Sequence, residues 1–252
     1  MGDRYVKPFL IATMALARLT QAVRSPDDVT RSLAVAALVP DADLDDPPSK
    51  PGLSLPPPSP VTEQSAVSTM IHGTWAFAGD WWRPRVGDFH GFIGRTYRPN
   101  LYSGGTPFYW SGMYRKKHRA RAAEFFVDWV KDKAPSGLQS VLAHSYGGEI
   151  AARAFNLGTW IREFVLLSTP VTSHVEDAAQ SGVRIVDIRL PFDPVLALTL
   201  KPQRIDARRN VTEVLTAWRL DHSATHKEPV WVSDNIGQRG QLEPEPGVLQ
   251  RR

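Results

Sequence analysis

Gln139-Ser140-Val141-Leu142-Ala143-His144-Ser145-Tyr146-Gly147-Gly148-Glu149-Ile150 is the stretch on which the reading of this chain turns. The apolar run 141–143 predicts a short buried strand, and 149–155 predicts a helix. Ser145 stands between them, with Ala143 two residues before it and Gly147 two residues after. A sharp strand-to-helix turn crowds its own backbone, so its flanking residues must be small. Such a turn exposes the serine hydroxyl and aims the following backbone N–H groups at whatever the hydroxyl attacks. A small-x-Ser-x-Gly pattern also arises in ordinary turns. The rest of the chain must therefore supply a base, a carboxylate and an oxyanion site.

The chain has 252 residues, which suits one domain of moderate size with appendages. A hydrophobic fraction of 42% is enough for a real core. The net charge of +4, from 30 basic and 26 acidic residues, is too mild to argue for nucleic acid. Cysteine is absent, which excludes disulfides, thiolate metal sites and a cysteine nucleophile. No run approaches the roughly 20 apolar residues that span a bilayer. Residues 9–17, preceded by Arg4 and Lys7, imitate a secretory signal, but Arg18 interrupts the run. The expectation is an amphipathic helix and a cytoplasmic protein.

Residues 1–40 read as a helical segment. Its second helix starts at Ser25-Pro26-Asp27-Asp28, a capping residue, a first-turn proline and two acids at the positive end of the dipole. Residues 41–65 are dense in proline and read as an extended linker. Residues 66–237 form the main domain, and 238–252 a polar tail. Within the domain, strands are expected over 67–71, 107–110, 141–143, 164–167, 183–188 and 211–220. Helices are expected over 88–97, 118–133, 149–155 and 229–236. The helix at 118–133 is strongly amphipathic, with Ala122, Phe126, Trp129 and Val130 on one side. Alternating strands and helices imply a mostly parallel six-stranded sheet with helices on both faces, plus the N-terminal helical appendage.

A serine hydroxyl is a weak nucleophile at neutral pH and needs a base within hydrogen-bond reach. Histidine suits, and a carboxylate then orients it and stabilises its charged form. In open parallel sheets such groups meet at the carboxyl ends of strands. Ser145, Asp193 and His222 each follow an expected strand, in that order along the chain. With His72-Gly73-Thr74 after the strand at 67–71, these residues make 67–236 resemble an α/β-hydrolase of the esterase/lipase kind. The resemblance implies Ser145 as nucleophile, His222 as base and Asp193 as its carboxylate. It also implies an oxyanion hole formed by the N–H groups of Thr74 and Tyr146. The departures are Ala143, where glycine is commonest, and the lack of a first hairpin before residue 67.

Each assignment has a competitor. Ser145 could be a turn serine, and Asp193 an ordinary turn aspartate before Pro194. Asp187 is a poorer acid because it lies inside a strand. His226 competes with His222, and the pair spells His-x-x-x-His, a zinc spacing, but no Glu stands at 223. No metal or cofactor is expected. His144 either lines the site or packs beside it. The aromatics Trp75, Trp81, Trp82, Phe89, Phe92, Tyr109, Trp110 and Tyr114 either fill the core or wall an apolar cleft beside Thr74. If they wall a cleft, Trp75, Trp110 and His144 would bind the apolar part of a substrate.

The basic run 115–121 reads as a solvated face, with an acidic partner, a substrate phosphate or an anionic membrane surface as functional alternatives. The resulting expectation is a metal-independent serine hydrolase acting on a small ester with an apolar part, and no nucleic-acid partner. A thioesterase or acyltransferase would use the same machinery. A non-catalytic binding protein on the same fold is the rival from another class. Oligomeric state is not legible.

Overall fold

The strands carry near-continuous apolar residues because the sheet they build is covered on both sides. In the computed structural model, which describes residues 67–74, 79–199 and 201–242, five strands pair in parallel, in the order β1-β2-β3-β4-β5. They are β1 (Val67–Ile71), β2 (Leu138–His144), β3 (Ile161–Leu167), β4 (Arg184–Arg189) and β5 (Val211–Leu215). The helical segment 1–40, the linker 41–65, Trp75 and most of the tail lie outside the described residues.

Residues along β2 and β3 alternate between two cores. Val141, Ala143, Phe164 and Leu166 point to one face, where they meet α2 (Lys116–Lys133), α3 (Tyr146–Asn156) and α4 (Ser173–Gln180) through Phe126, Ile150 and Val175. Leu142, Val165 and Leu167 point to the other. There they join Phe89 and Ile93 of α1 (Asp88–Thr96), Trp231 of α6 (Glu228–Ser233) and Ile236 of α7 (Ile236–Arg239). Helices thus cover both faces, as expected. The remaining short elements are α5 (Pro194–Leu198) and a 3₁₀ turn at His222–His226.

The sheet differs from expectation in two strands. Residues 107–110 pair with no strand; Phe108 and Trp110 are instead buried in the core on the α2 side. Pro107 brings no N–H to a ladder, and aromatic packing takes the place of pairing. Among the described residues, the sheet continues beyond β1 as an isolated parallel bridge between Ser68 and Leu101. The expected long strand over 211–220 stops at Leu215. Past it, Arg219 pairs with Asp234, which also accepts from the Ala217 N–H at 2.8 Å.

The closing segment forms two short helices broken by Asn235 in the left-handed region at φ 52°. Packing runs past residue 237, since α7 ends at Arg239 and Leu242 is buried. The basic run is not wholly a solvated face. Arg119 is 2% exposed, and its Nε donates to Glu149 at 2.9 Å beneath the first turn of α3. Among the described residues no helix is long and apolar enough to cross a membrane.

Candidate active site

Ser145 joins β2 to α3 with φ 52° and ψ −132°. A non-glycine residue held there costs of order 1–3 kcal/mol and persists only when its surroundings enforce it. Two backbone bonds do so. The Ser145 N–H donates to the Leu167 carbonyl of β3 at 2.9 Å, and the Gly148 N–H donates to the Ser145 carbonyl at 3.0 Å. The flanking glycine is obligatory here: a Cβ on Gly147 would lie 2.7 Å from the His72 oxygen and 2.8 Å from the Ile71 oxygen. Ala143 is fully buried at the strand end, and its carbonyl accepts from the Thr169 hydroxyl at 3.3 Å. The methyl group therefore fits where glycine is commoner.

The 72–74 loop lies directly against this turn. A Cβ on Gly73 would sit 2.8 Å from the Ser145 Cβ and 2.9 Å from His144 Nδ1. His72 organises the loop. Its Nδ1–H donates to the Gly73 carbonyl at 2.8 Å, while the Trp110 backbone N–H approaches its Nε2 at 3.4 Å. Burial outweighs the Gly73 contact, which acts to raise the value, and lowers the His72 pKa to about 4, so the ring is neutral. Trp110 is buried, stacks on His72 at 5.7 Å and donates its indole N–H to the His72 carbonyl at 2.9 Å. It braces the back of the loop. Thr74 follows Gly73 and is partly exposed. Tyr146 opens α3, where the first N–H groups of a helix have no intrahelical partner.

Asp193 follows β4 and caps α5, with Pro194 at the first helical position. Its Oδ1 accepts from the N–H groups of Val195 and Leu196 at 3.0 and 3.2 Å. Its Oδ2 accepts from His222 Nδ1 at 2.7 Å. Burial alone would raise this carboxyl. The His222 imidazole, the Leu196 N–H and the Ser168 hydroxyl outweigh it and hold Asp193 below the ordinary carboxylate value.

His222 opens the 3₁₀ turn, which Asp221 caps through the Ser223 N–H at 3.0 Å. His144 reaches over from β2, and its Nε2 donates to the His222 carbonyl at 3.2 Å. The two rings lie 4.6 Å apart. His144 is therefore a packed neighbour of the candidate base and not an open wall. Burial, then the proximity of His222, lowers its pKa to about 3.

The competitors fall elsewhere. His226 stacks on Trp81 at 4.1 Å, and burial pushes its pKa well down. The carboxylate contact belongs to His222. Asp187 pairs with Arg189 at 2.7 Å, and burial raises its pKa to about 6 despite that partner. Of the aromatics, Trp82, Phe89, Phe92, Trp110 and Tyr114 are buried, while Tyr109 is 65% exposed. Most of them fill cores, as one of the two sequence readings had it. Among the described residues no three His, Asp or Glu side chains are arranged to hold a metal ion.

One participant was not singled out from the sequence. Ser168 follows β3 as Ser145 follows β2, also at positive φ (46°), with its N–H on the Ile188 carbonyl at 2.9 Å. Its hydroxyl supports Asp193. The available signal was its place at the neighbouring strand end.

A parallel sheet covered on both faces, a serine on a strained turn after one strand, and an acid and a histidine after the last two make an α/β-hydrolase fold cut down to five strands. No family model and no curated protein matches the chain. Among solved structures, it is similar to an extracellular alpha/beta-hydrolase from a Paenibacillus species, at 14% identity and a TM-score of 0.42, covering 70% of this chain and 99% of that one. It is also similar to the NocB thioesterase domain, at 13% identity and a TM-score of 0.41, covering 70% and 94%. A third is RedJ, a thioesterase from the prodiginine biosynthetic pathway of Streptomyces coelicolor, at 12% identity and a TM-score of 0.41, covering 74% and 96%. The fold assignment rests on the topology of the chain itself.

Proposed function

We propose that this protein is a serine hydrolase that cleaves carboxylic esters through an acyl-enzyme intermediate. The observation that carries the reading is the 2.7 Å contact between the Asp193 carboxylate and His222 Nδ1. A carboxylate only accepts, so Nδ1 bears the proton and Nε2 is left with its lone pair. In the proposed cycle the Ser145 hydroxyl attacks the ester carbonyl while His222 Nε2 takes its proton. The N–H groups of Thr74 and Tyr146 hold the developing oxyanion. His222 then returns the proton to the leaving alcohol, and water repeats the sequence to release the acid.

The packing of Gly73 on Ser145 supports the oxyanion assignment, because it brings the loop carrying the Thr74 N–H beside the nucleophile. The depressed pKa values of His72 and His144 support roles other than proton transfer for both. The same groups serve a thioester, so the ratio of turnover on a nitrophenyl ester to that on the matching acyl thioester defines the leaving group. The deciding experiment is covalent labelling with a fluorophosphonate probe. Labelling of the wild type that disappears in Ser145→Ala is expected; a folded wild type that does not label overturns the reading.

A further inference from the structure

A groove of about 870 Å³ lies between residues 106–111 and α2. None of Ser145, Asp193 or His222 lines it. Phe108 and Trp110 contribute buried aromatic surface, while Tyr109 and Phe125 are 65% and 54% exposed at its walls. Exposed aromatics on the walls of one groove suit the binding of an apolar group.

The charge in the groove has one sign. Arg83 and Arg121 both line it, together with His118, and no carboxylate is among the described lining residues. Each guanidinium rests on an aromatic face, Arg83 5.5 Å from the Trp82 ring and Arg121 5.2 Å from the Phe125 ring. Stacking restricts the orientation of the two planar forks. Asp80 pairs with Arg83 at 3.1 Å across a partly solvated contact, the class of ion pair that contributes little.

We propose that this groove is a binding site, separate from the serine, for a small amphiphile with an apolar body and an anionic carboxylate or phosphate head. The volume falls in the range of small-molecule pockets, about 300–1,000 Å³. Apolar walls take the body, and the guanidiniums of the lining take the anionic head, whose oxygens accept from their N–H groups. Trp110 links the site to the 72–74 loop, since it lines the groove and donates to the His72 carbonyl.

Calorimetric titration of Ser145→Ala protein with decanoate, decyl phosphate and decanol, each below its micelle concentration, tests this. One-site binding of an anionic ligand at least tenfold tighter than decanol is expected, and whichever of the two is tighter identifies the head. Arg83→Gln/Arg121→Gln should lower that affinity at least tenfold with an unchanged melting temperature, and Phe125→Ala should weaken all ligands alike. Equal affinity for decanol and both anions, or wild-type affinity in the double glutamine variant, overturns the proposal. Binding that is lost when wild-type Ser145 is capped with a fluorophosphonate would put the ligand at the serine instead. Binding only to phosphatidylglycerol vesicles, with none to the monomeric amphiphiles, would make the groove a membrane contact and equally overturn it.

Discussion

His144 Nε2 donates to the backbone carbonyl of His222 at 3.2 Å, tying the strand that carries the nucleophile to the turn that carries the candidate base. The bond is made through the main chain of His222, so it sets where the imidazole starts without occupying either ring nitrogen. One neutral hydrogen bond is worth about 0.5–1.5 kcal/mol. His144→Ala should therefore lower kcat on a nitrophenyl ester about three- to tenfold with KM little changed, and His144→Gln, which keeps a donor, should recover part of it. Steady-state kinetics on the three proteins checks both.

His222 and His226 lie within one 3₁₀ turn, yet only His222 meets a carboxylate. His222→Ala should reduce ester turnover by 10³-fold or more, in keeping with the loss of a triad member. His226→Ala should retain most of it and show a lower melting temperature, because its ring packs on Trp81 and His144. The reverse pattern would move the base to residue 226.

Gly73→Ala puts a methyl group 2.8 Å from the Ser145 Cβ, a distance real Cβ atoms do not tolerate. The loop has to retreat from the nucleophile and carries the Thr74 N–H with it. Loss of one oxyanion donor costs about 10²–10³ in kcat. That loss is expected alongside a small change in urea midpoint, and a full-activity variant would remove Thr74 from the oxyanion site.

Glu149 is 1% exposed and meets both Arg119 at 2.9 Å and Arg153 at 2.7 Å. A buried charge left wholly unpaired costs about 3–5 kcal/mol, but Arg153 stays on Glu149 when Arg119 is removed. Arg119→Met should therefore lose part of that amount, about 1–3 kcal/mol, in urea denaturation. Arg119→Met/Glu149→Gln should lose less, because no buried carboxylate is then left short of a partner.

Acid should destabilise the fold through its neutral buried histidines. His72 and His144 titrate at about 4 and about 3 in the folded chain, against 6.5 for an ordinary histidine. Between those values the unfolded chain binds protons that the folded one refuses, so this contribution is complete above about pH 6.5 and declines as pH falls towards 4. Asp187 runs the opposite way, since its raised pKa of about 6 favours the folded state as pH falls below 6. In urea titrations across pH 7 to 4, His72→Gln should flatten the decline and Asp187→Asn should steepen it.

Much of this architecture was legible because its elements are strongly patterned. The β1 expectation matches residue for residue, and α1 matches to within one residue. The strand expected at 107–110 fails because an aromatic run with alternating burial looks the same whether it pairs or packs; Phe108 and Trp110 pack. The strand expected over 211–220 ends at Leu215, although Trp218 and Leu220 have the side chains of strand residues. They are 69% and 59% exposed on the loop leading to His222. Arg119 looked like one cation among several, since a buried ion pair with Glu149, 30 residues away, leaves no local trace.

The sequence by itself determined the order of chemistry along the chain: a small-flanked serine, then an aspartate, then a histidine, each beyond an apolar run. Those features are local, and local periodicity and turn chemistry suffice to read them. Only the tertiary structure decided which histidine meets Asp193, that Gly73 abuts Ser145, that Ser168 supports the acid, and that Arg83 and Arg121 share a groove. Each of these joins segments far apart in the chain. Their juxtaposition follows from strand order and loop path, and no spacing along the sequence encodes it.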